Sequence, residues 1–342
     1  LPTMMRRRHP LLLFLPLLLL PLLCLAALLW GSVDIPVAEA WSALWTDDGS
    51  TAAYIMRHLR LPQMASAVAA GAAMGVAGLV MQTVFDNPLA DPSLLGINAG
   101  AAVGAAVAML LPGAALPFLG TATGGYVATM LCAAIGAVMV TALLLLLSAV
   151  LTDAFRLLIA GVMLSYICGA AVSVMGFFAS AEGLQGYMLW GMGDLTGITA
   201  ERLPAFLTLV AIPLLLLLAR AKALNAMLLG ERYAANLGVS IRRERTLLLL
   251  LSALLCAAVT ALCGPIGFIG LTAPHITRFV HGTHSHFALL PLTALWGACL
   301  LLAATLPGHL LDGRTLPPGI VTPLVGVPVV MVLLLSQRQR MQ

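Results

Sequence analysis

Charge is what this sequence has least of. Only 9% of its 342 residues are Asp, Glu, Lys or Arg, against roughly 25% in a soluble domain, which excludes a surface built for water. Lysine is reduced to Lys222, and Ala223 follows it. A phosphate-binding loop ends in Lys followed by Ser or Thr, so the chain carries no Walker A motif. Cys24, Cys132, Cys168, Cys256, Cys263 and Cys299 all lie in apolar runs, with no CxxC pair among them. That is the pattern of buried, inert thiols. Carboxylates are missing from the apolar runs as well: every Asp and Glu falls in an expected loop or at the end of a run. An ion-coupled carrier usually keeps acids inside the bilayer, where each costs ~2.5–3.5 kcal/mol. Neither an ATPase nor a proton relay is evident, which leaves a partner pushing on cytoplasmic loops as the source of work.

What is present is apolar. Hydrophobic residues make up 61% of the chain and the mean hydropathy is +1.05. Runs near 20 residues recur from end to end, and about 20 helical residues cross a ~30 Å hydrocarbon core. Helices are required because lipid cannot satisfy an open backbone, and barrel strands would be shorter and alternating. Proline, glycine and charge punctuate the chain into ten candidate spans: 11–31, 62–83, 94–112, 121–149, 157–179, 203–219, 246–263, 266–280, 288–306 and 318–336. The eighth is short and broken by Gly and Pro. Residues 181–200 read as a partial surface helix. The expected fold class is therefore all-α integral membrane, with 1–342 as a single transmembrane domain. Arg6-Arg7-Arg8 followed by Leu11–Trp30 has the look of a signal peptide. The apolar stretch is too long and ends in no clean cleavage site, so it reads as the first span, with the start at Met4 or Met5.

Ten spans place both termini on one side. Thirteen basic residues fall on that side, in the Arg6–Arg8, Arg220–Arg245 and C-terminal stretches and at Arg156 and Arg278. Four fall on the other: Arg57, Arg60, Arg202 and Arg314. By the positive-inside rule both ends are cytoplasmic.

At this point the chain resembles the FecCD family, the permeases of type II ATP-binding-cassette importers for iron chelates, haem and vitamin B12. The residues that carry the resemblance are Arg60-Leu61-Pro62, Gln82, Asn87-Pro88-Leu89-Ala90-Asp91-Pro92 and Leu95 to Gly100. Further on come Leu229-Gly230-Glu231-Arg232 through Leu237-Gly238, Gly264 to Leu271 with Pro274-His275, Pro317-Pro318-Gly319 and Gly326-Val327-Pro328. The resemblance implies a homodimer in the bacterial inner membrane, seated on a cytoplasmic ATPase dimer and served by a periplasmic substrate-binding protein. No cofactor or metal is bound by such a chain, and ATP and Mg are used by the partner. No catalytic residue and no nucleic-acid contact is implied. The cargo is an iron complex (ferric siderophore or haem) or cobalamin.

Residues 221–245 form the longest cytoplasmic loop, and Asn225–Leu237 reads as one helix stopped by Gly238. Met227, Leu228, Tyr233 and Leu237 are expected to brace it. In similar permeases this element couples to the ATPase, which assigns Leu229, Gly230, Glu231, Arg232, Leu237 and Gly238. Two prolines around Leu89 forbid a continuous helix, and the resemblance makes Asn87 and Leu89 gate residues, with Thr152 a companion. Arg60 matches a family arginine that docks the binding protein. Gln63 stands where the family has a second arginine, with Arg57 as a substitute; Pro307-Gly308-His309 stands where it has a third, with Arg314 nearby; and Thr315 replaces a family acidic residue.

Other features tempt other readings. An ion-coupled secondary carrier for a similar solute is the alternative function. Gly191-Met192-Gly193-Asp194 matches an intramembrane protease signature, but that chemistry needs a second aspartate sharing the site. His281, His284 and His286 read as a solvated turn, and His275 as a packed side chain. Gly71–Gly78 and Gly100–Gly104 have the small-xxx-small spacing of close helix packing.

Overall fold

The computed structural model describes residues 14–31, 33–46, 48–111, 122–151, 153–306 and 316–338. Among these there is no strand. The helices are α1 (Leu15–Leu29), α2 (Val37–Trp45), α3 (Thr51–Tyr54), α4 (Leu61–Val84), α5 (Ile97–Leu110), α6 (Ala122–Val150), α7 (Ala154–Phe177) and α8 (Ala181–Gly191). They continue as α9 (Leu203–Leu218), α10 (Ala221–Met227), α11 (Glu231–Asn236), α12 (Ile241–Cys263), α13 (Ile269–His281), α14 (His286–Thr305) and α15 (Pro318–Arg338). A π-helical turn over Ile55–Arg60 joins α3 to α4.

Each of the ten candidate spans contains a helix. Five helices are long and apolar enough to cross a bilayer: Thr51–Val84, Gly125–Val150, Phe155–Phe177, Ile241–Cys263 and His286–Thr305. The pair α9 and α10, bent by 53°, makes a sixth if it is one span, and α1, α5 and Pro318–Val332 are shorter apolar helices. α13 has 13 residues with Pro274 inside it, the short broken element expected there. Helix α12 begins five residues ahead of its apolar run, so its first turn carries Arg242, Arg243 and Arg245.

The core is organised around α4, which packs on α12, α13 and α14. Its glycines make this possible. A Cβ on Gly71 would lie 2.3 Å from the Gly297 carbonyl oxygen of α14, and one on Gly78 would lie 1.9 Å from that of Gly270 in α13. The same device joins α5 to α6, where a Cβ on Gly104 would meet the Cys132 carbonyl oxygen at 1.9 Å. Backbones approach this closely only where a side chain is missing. Asn98 then ties α5 to α12, its Oδ1 accepting from Cys256 Sγ and Thr260 Oγ1 at 2.8 Å each.

Helix α8 is the partial surface helix expected within residues 181–200, and it stops at Gly191. The turn that follows is stitched to two neighbours: Asp194 N donates to Cys263 O at 2.7 Å and Gly319 N to Met192 O at 2.9 Å. The carboxylate of Asp194 is exposed and accepts from Thr196 N at 2.7 Å. It serves a surface turn rather than an acid pair.

Candidate coupling and gating site

The coupling segment differs from the single helix expected over Asn225–Leu237. It is two helices, α10 and α11, parted at Gly230, where φ is +97°. An L side chain rarely adopts that conformation, so the break is written in the glycine. The expected stop at Gly238 is present. Its φ is +83°, Gly238 N donates to Ala235 O at 2.9 Å and Val239 N donates to Ala234 O at 3.1 Å. Those two bonds define a Schellman cap.

The bracing residues also differ from expectation. Leu224, Met227 and Ala234 are buried against the body, whereas Leu228, Leu229, Tyr233 and Leu237 are 48–63% exposed. Four large apolar side chains thus stand together on the outside of a basic segment. The side chains of Glu231 and Arg232 lie outside the described residues. Arg220 anchors the segment to the start of α12 through Glu244, at 3.1 Å.

The gate turn follows α4. Asn87 Oδ1 accepts from Leu89 N at 2.9 Å, so Asn87 shapes the turn while Leu89 projects outward. Asp86 takes φ +44°, a conformation Asp tolerates better than most residues. Asp91 caps the 3₁₀ turn Pro92–Leu95, accepting from Ser93 N at 2.8 Å. Its Oδ2 is buried without a partner and faces Gly270, whose added Cβ would lie 2.6 Å away. Burial pushes the Asp91 carboxyl above the ordinary carboxylate range, opposed in part by the Ser93 bonds. Thr152 and Arg314 lie outside the described residues.

Arg60, the expected docking arginine, is turned inward. It is 6% exposed, and its guanidinium donates to Leu28 O at 2.7 Å, Leu29 O at 3.1 Å and Val33 O. It closes the C-terminal carbonyls of α1, which have no partner inside their own helix. A guanidinium spent this way is not presented at the surface. Arg57 is only half-buried, with Nε donating to Ala43 O at 2.9 Å.

Two other residues correct the reading of the histidine turn. His286 is 1% exposed and lies against Thr83 and Asn225; His281 Nε2 accepts from Trp296 Nε1 at 3.1 Å. Of the three, His284 is the exposed one. Among the described residues no three His, Cys, Asp or Glu groups gather to hold a metal ion. His275 is packed as expected, its Nδ1 2.7 Å from Leu271 O. The contacts of Thr83, Asn225 and His286 escaped sequence reasoning because they join residues 61 to 203 positions apart.

Several helices long and apolar enough to cross a bilayer make this a multi-pass membrane fold. The chain belongs to the FecCD transport family, whose model matches residues 18–336. It is 37% identical over 328 residues to the hemin transport system permease protein HmuU of Yersinia pestis, covering 95% of both chains. It is 35% identical over 308 residues to the vitamin B12 import system permease protein BtuC of Vibrio cholerae, covering 90% of this chain and 88% of that one. A solved inward-facing metal-chelate type ABC transporter superposes with a TM-score of 0.81 at 29% identity, covering 96% of this chain and all of that one. The protein is thus a membrane-embedded transport subunit of ATP-binding-cassette type.

Proposed function

We propose that this chain moves a metal-bearing chelate or macrocycle, of the haem, ferric siderophore or cobalamin class, from periplasm to cytoplasm, driven by a separate ATPase. The observation that carries the reading is the exposed apolar group Leu228, Leu229, Tyr233 and Leu237 on a chain without a nucleotide site of its own. Apolar side chains clustered in a water-facing basic loop mark a protein contact. The ATPase is the partner that contact serves. The hemin and B12 permeases among the relatives support the cargo class.

In this reading the chain works as a homodimer in the inner membrane with both termini cytoplasmic, as the arginine bias supports. Asn87 and Leu89 line the gate, and Leu229, Gly230, Glu231, Arg232, Leu237 and Gly238 couple it to the ATPase. Arg57 and Arg314 receive the periplasmic binding protein. Arg60 supports that face from inside by holding the end of α1.

Reconstitution tests the division of labour. The purified chain in liposomes should hydrolyse no ATP, and addition of the ATPase and binding protein should give ATP-dependent uptake of hemin or cyanocobalamin. Uptake that follows an ion gradient without ATP would overturn the reading in favour of a secondary carrier.

A further inference from the structure

Between the coupling segment and the gate lies a buried chain of side-chain hydrogen bonds. Asn225 of α10 accepts at Oδ1 from the His286 backbone N–H at 2.7 Å, and the same oxygen lies 3.0 Å from His286 Nδ1. On the far side of the ring, His286 Nε2 lies 2.8 Å from Thr83 Oγ1, which also lies 2.9 Å from Leu79 O. Thr83 is in the last turn of α4 and is 9% exposed. The gate turn begins directly after that helix, and Asn87 N donates to Gln82 O at 3.1 Å.

The donors and acceptors leave little freedom. The backbone N–H of His286 fixes the Asn225 amide with its oxygen toward the ring, because an amide NH₂ cannot accept. Nδ1 facing that oxygen must then carry a hydrogen. In the neutral ring Nε2 is therefore the acceptor, and Thr83 donates to it. The ring thus reads Asn225 with one nitrogen and Thr83 with the other. Thr83 has a single hydroxyl hydrogen, so it donates either to His286 or to Leu79 O within its own helix, and moving Asn225 changes that choice.

We infer that His286 is a positioning residue through which the α10 coupling segment holds the gate end of α4. Displacement of α10 pulls Asn225 from the ring, the ring releases Thr83, and the last turn of α4 loses its tether to α14. The parallel contact of Arg278 Nη1 with Gln82 Oε1 joins α13 to the same turn. That bond runs from α13 rather than from α10, so it holds the turn by a second route. This inference rests on the importer reading above.

Two measurements test it. In proteoliposomes holding the full importer, uptake per ATP hydrolysed is compared, with hemin or cyanocobalamin as the probe. Thr83→Val and Asn225→Ala should each lower the ratio by about fivefold, and the double variant should lower it no further, because one chain can be broken only once. Thr83→Ser, which keeps the hydroxyl, should restore the ratio. Thr141→Val, which removes a buried hydroxyl that donates to Ala137 O of its own helix, should leave it unchanged. Single-variant losses that multiply in the double variant would overturn the relay, as would wild-type coupling in Thr83→Val.

Hydrogen exchange on the detergent-purified permease reads the same link without cargo. Amides of Ala221–Met227 should exchange faster in Thr83→Val and as in wild type in Thr83→Ser and Thr141→Val. Unchanged exchange in Thr83→Val would overturn the relay. A wild-type complex without ATP-driven uptake would sink the importer reading while leaving this exchange result to judge the link.

Discussion

Helices α4 and α7 are both apolar, both 24 residues long and both able to cross a bilayer, yet they occupy opposite environments. In the most apolar stretch of the Thr51–Val84 helix 78% of residues are buried, against 11% in Phe155–Phe177. Hydropathy does not separate them. Side-chain size does: α4 makes its closest backbone approaches to α13 and α14 at Gly71, Gly75 and Gly78, while α7 presents Ile159, Met163, Ile167 and Val174 outward. In lipid there is no hydrophobic gain from leaving the surroundings, since the surroundings are as apolar as the side chains. Close backbone approach and its dispersion contacts decide which helices become core.

The sharpest way to break this comparison is to put the same side chain into both helices. Gly78→Leu drives a branched group into the Gly270 backbone and should cost about 3 kcal/mol or more, seen as a large fall in melting temperature and in detergent-extracted yield. At Gly169 of α7 an added Cβ meets nothing within 4 Å, and Gly169→Leu should change the melting temperature by an amount equivalent to less than about 0.5 kcal/mol. Equal effects would mean that burial, as described, does not govern stability here.

Next in size is Arg60. Replacing it with Met keeps much of the stem but strips the donors from Leu28 O and Leu29 O at the end of α1 and from Val33 O beyond it, a loss of roughly 1–3 kcal/mol. The purified permease should melt lower with no binding protein present. An Arg57→Glu variant loses a single bond to Ala43 O and should melt less far below wild type than Arg60→Met while weakening binding-protein affinity, most clearly at low salt. If Arg60→Met melts as wild type and loses docking alone, the capping role is wrong.

The smallest effect belongs to Asp91. Its carboxyl is held above the ordinary range by burial, so the fold favours the protonated form. The sign follows: stability from this group is fully present below the unfolded carboxyl's pKa and is lost as pH rises through the raised folded value. Asp91→Asn mimics the neutral form and should flatten the pH dependence of the melting temperature over that window. A variant with the slope of wild type would show that the carboxylate is already solvated or paired.

Much of this was legible in the chain itself. All ten candidate spans found helices, because length and hydropathy measure what a bilayer demands of any backbone. Gly238 announced its cap, since a left-handed position excludes most side chains. The Gly-rich runs announced close packing for the same steric reason. The inward turn of Arg60 was not legible, because a motif records that an arginine is needed, not which way its guanidinium turns. Gly230 was visible but was read through, because one glycine inside a helical pattern is tolerated unless the neighbouring packing asks for a break.

The sequence by itself determined that this protein lives in a membrane and that its secondary structure is helical. Each follows from composition acting on one segment at a time. Only the tertiary structure decided that α4 is the core and α7 the rim, that Arg60 closes α1, and that His286 joins Asn225 to Thr83. Those facts depend on which backbones can approach within van der Waals contact and on hydrogen bonds between residues as much as 203 positions apart. Such distances along the chain carry no local signature, because the donor and acceptor meet only after the helices have packed.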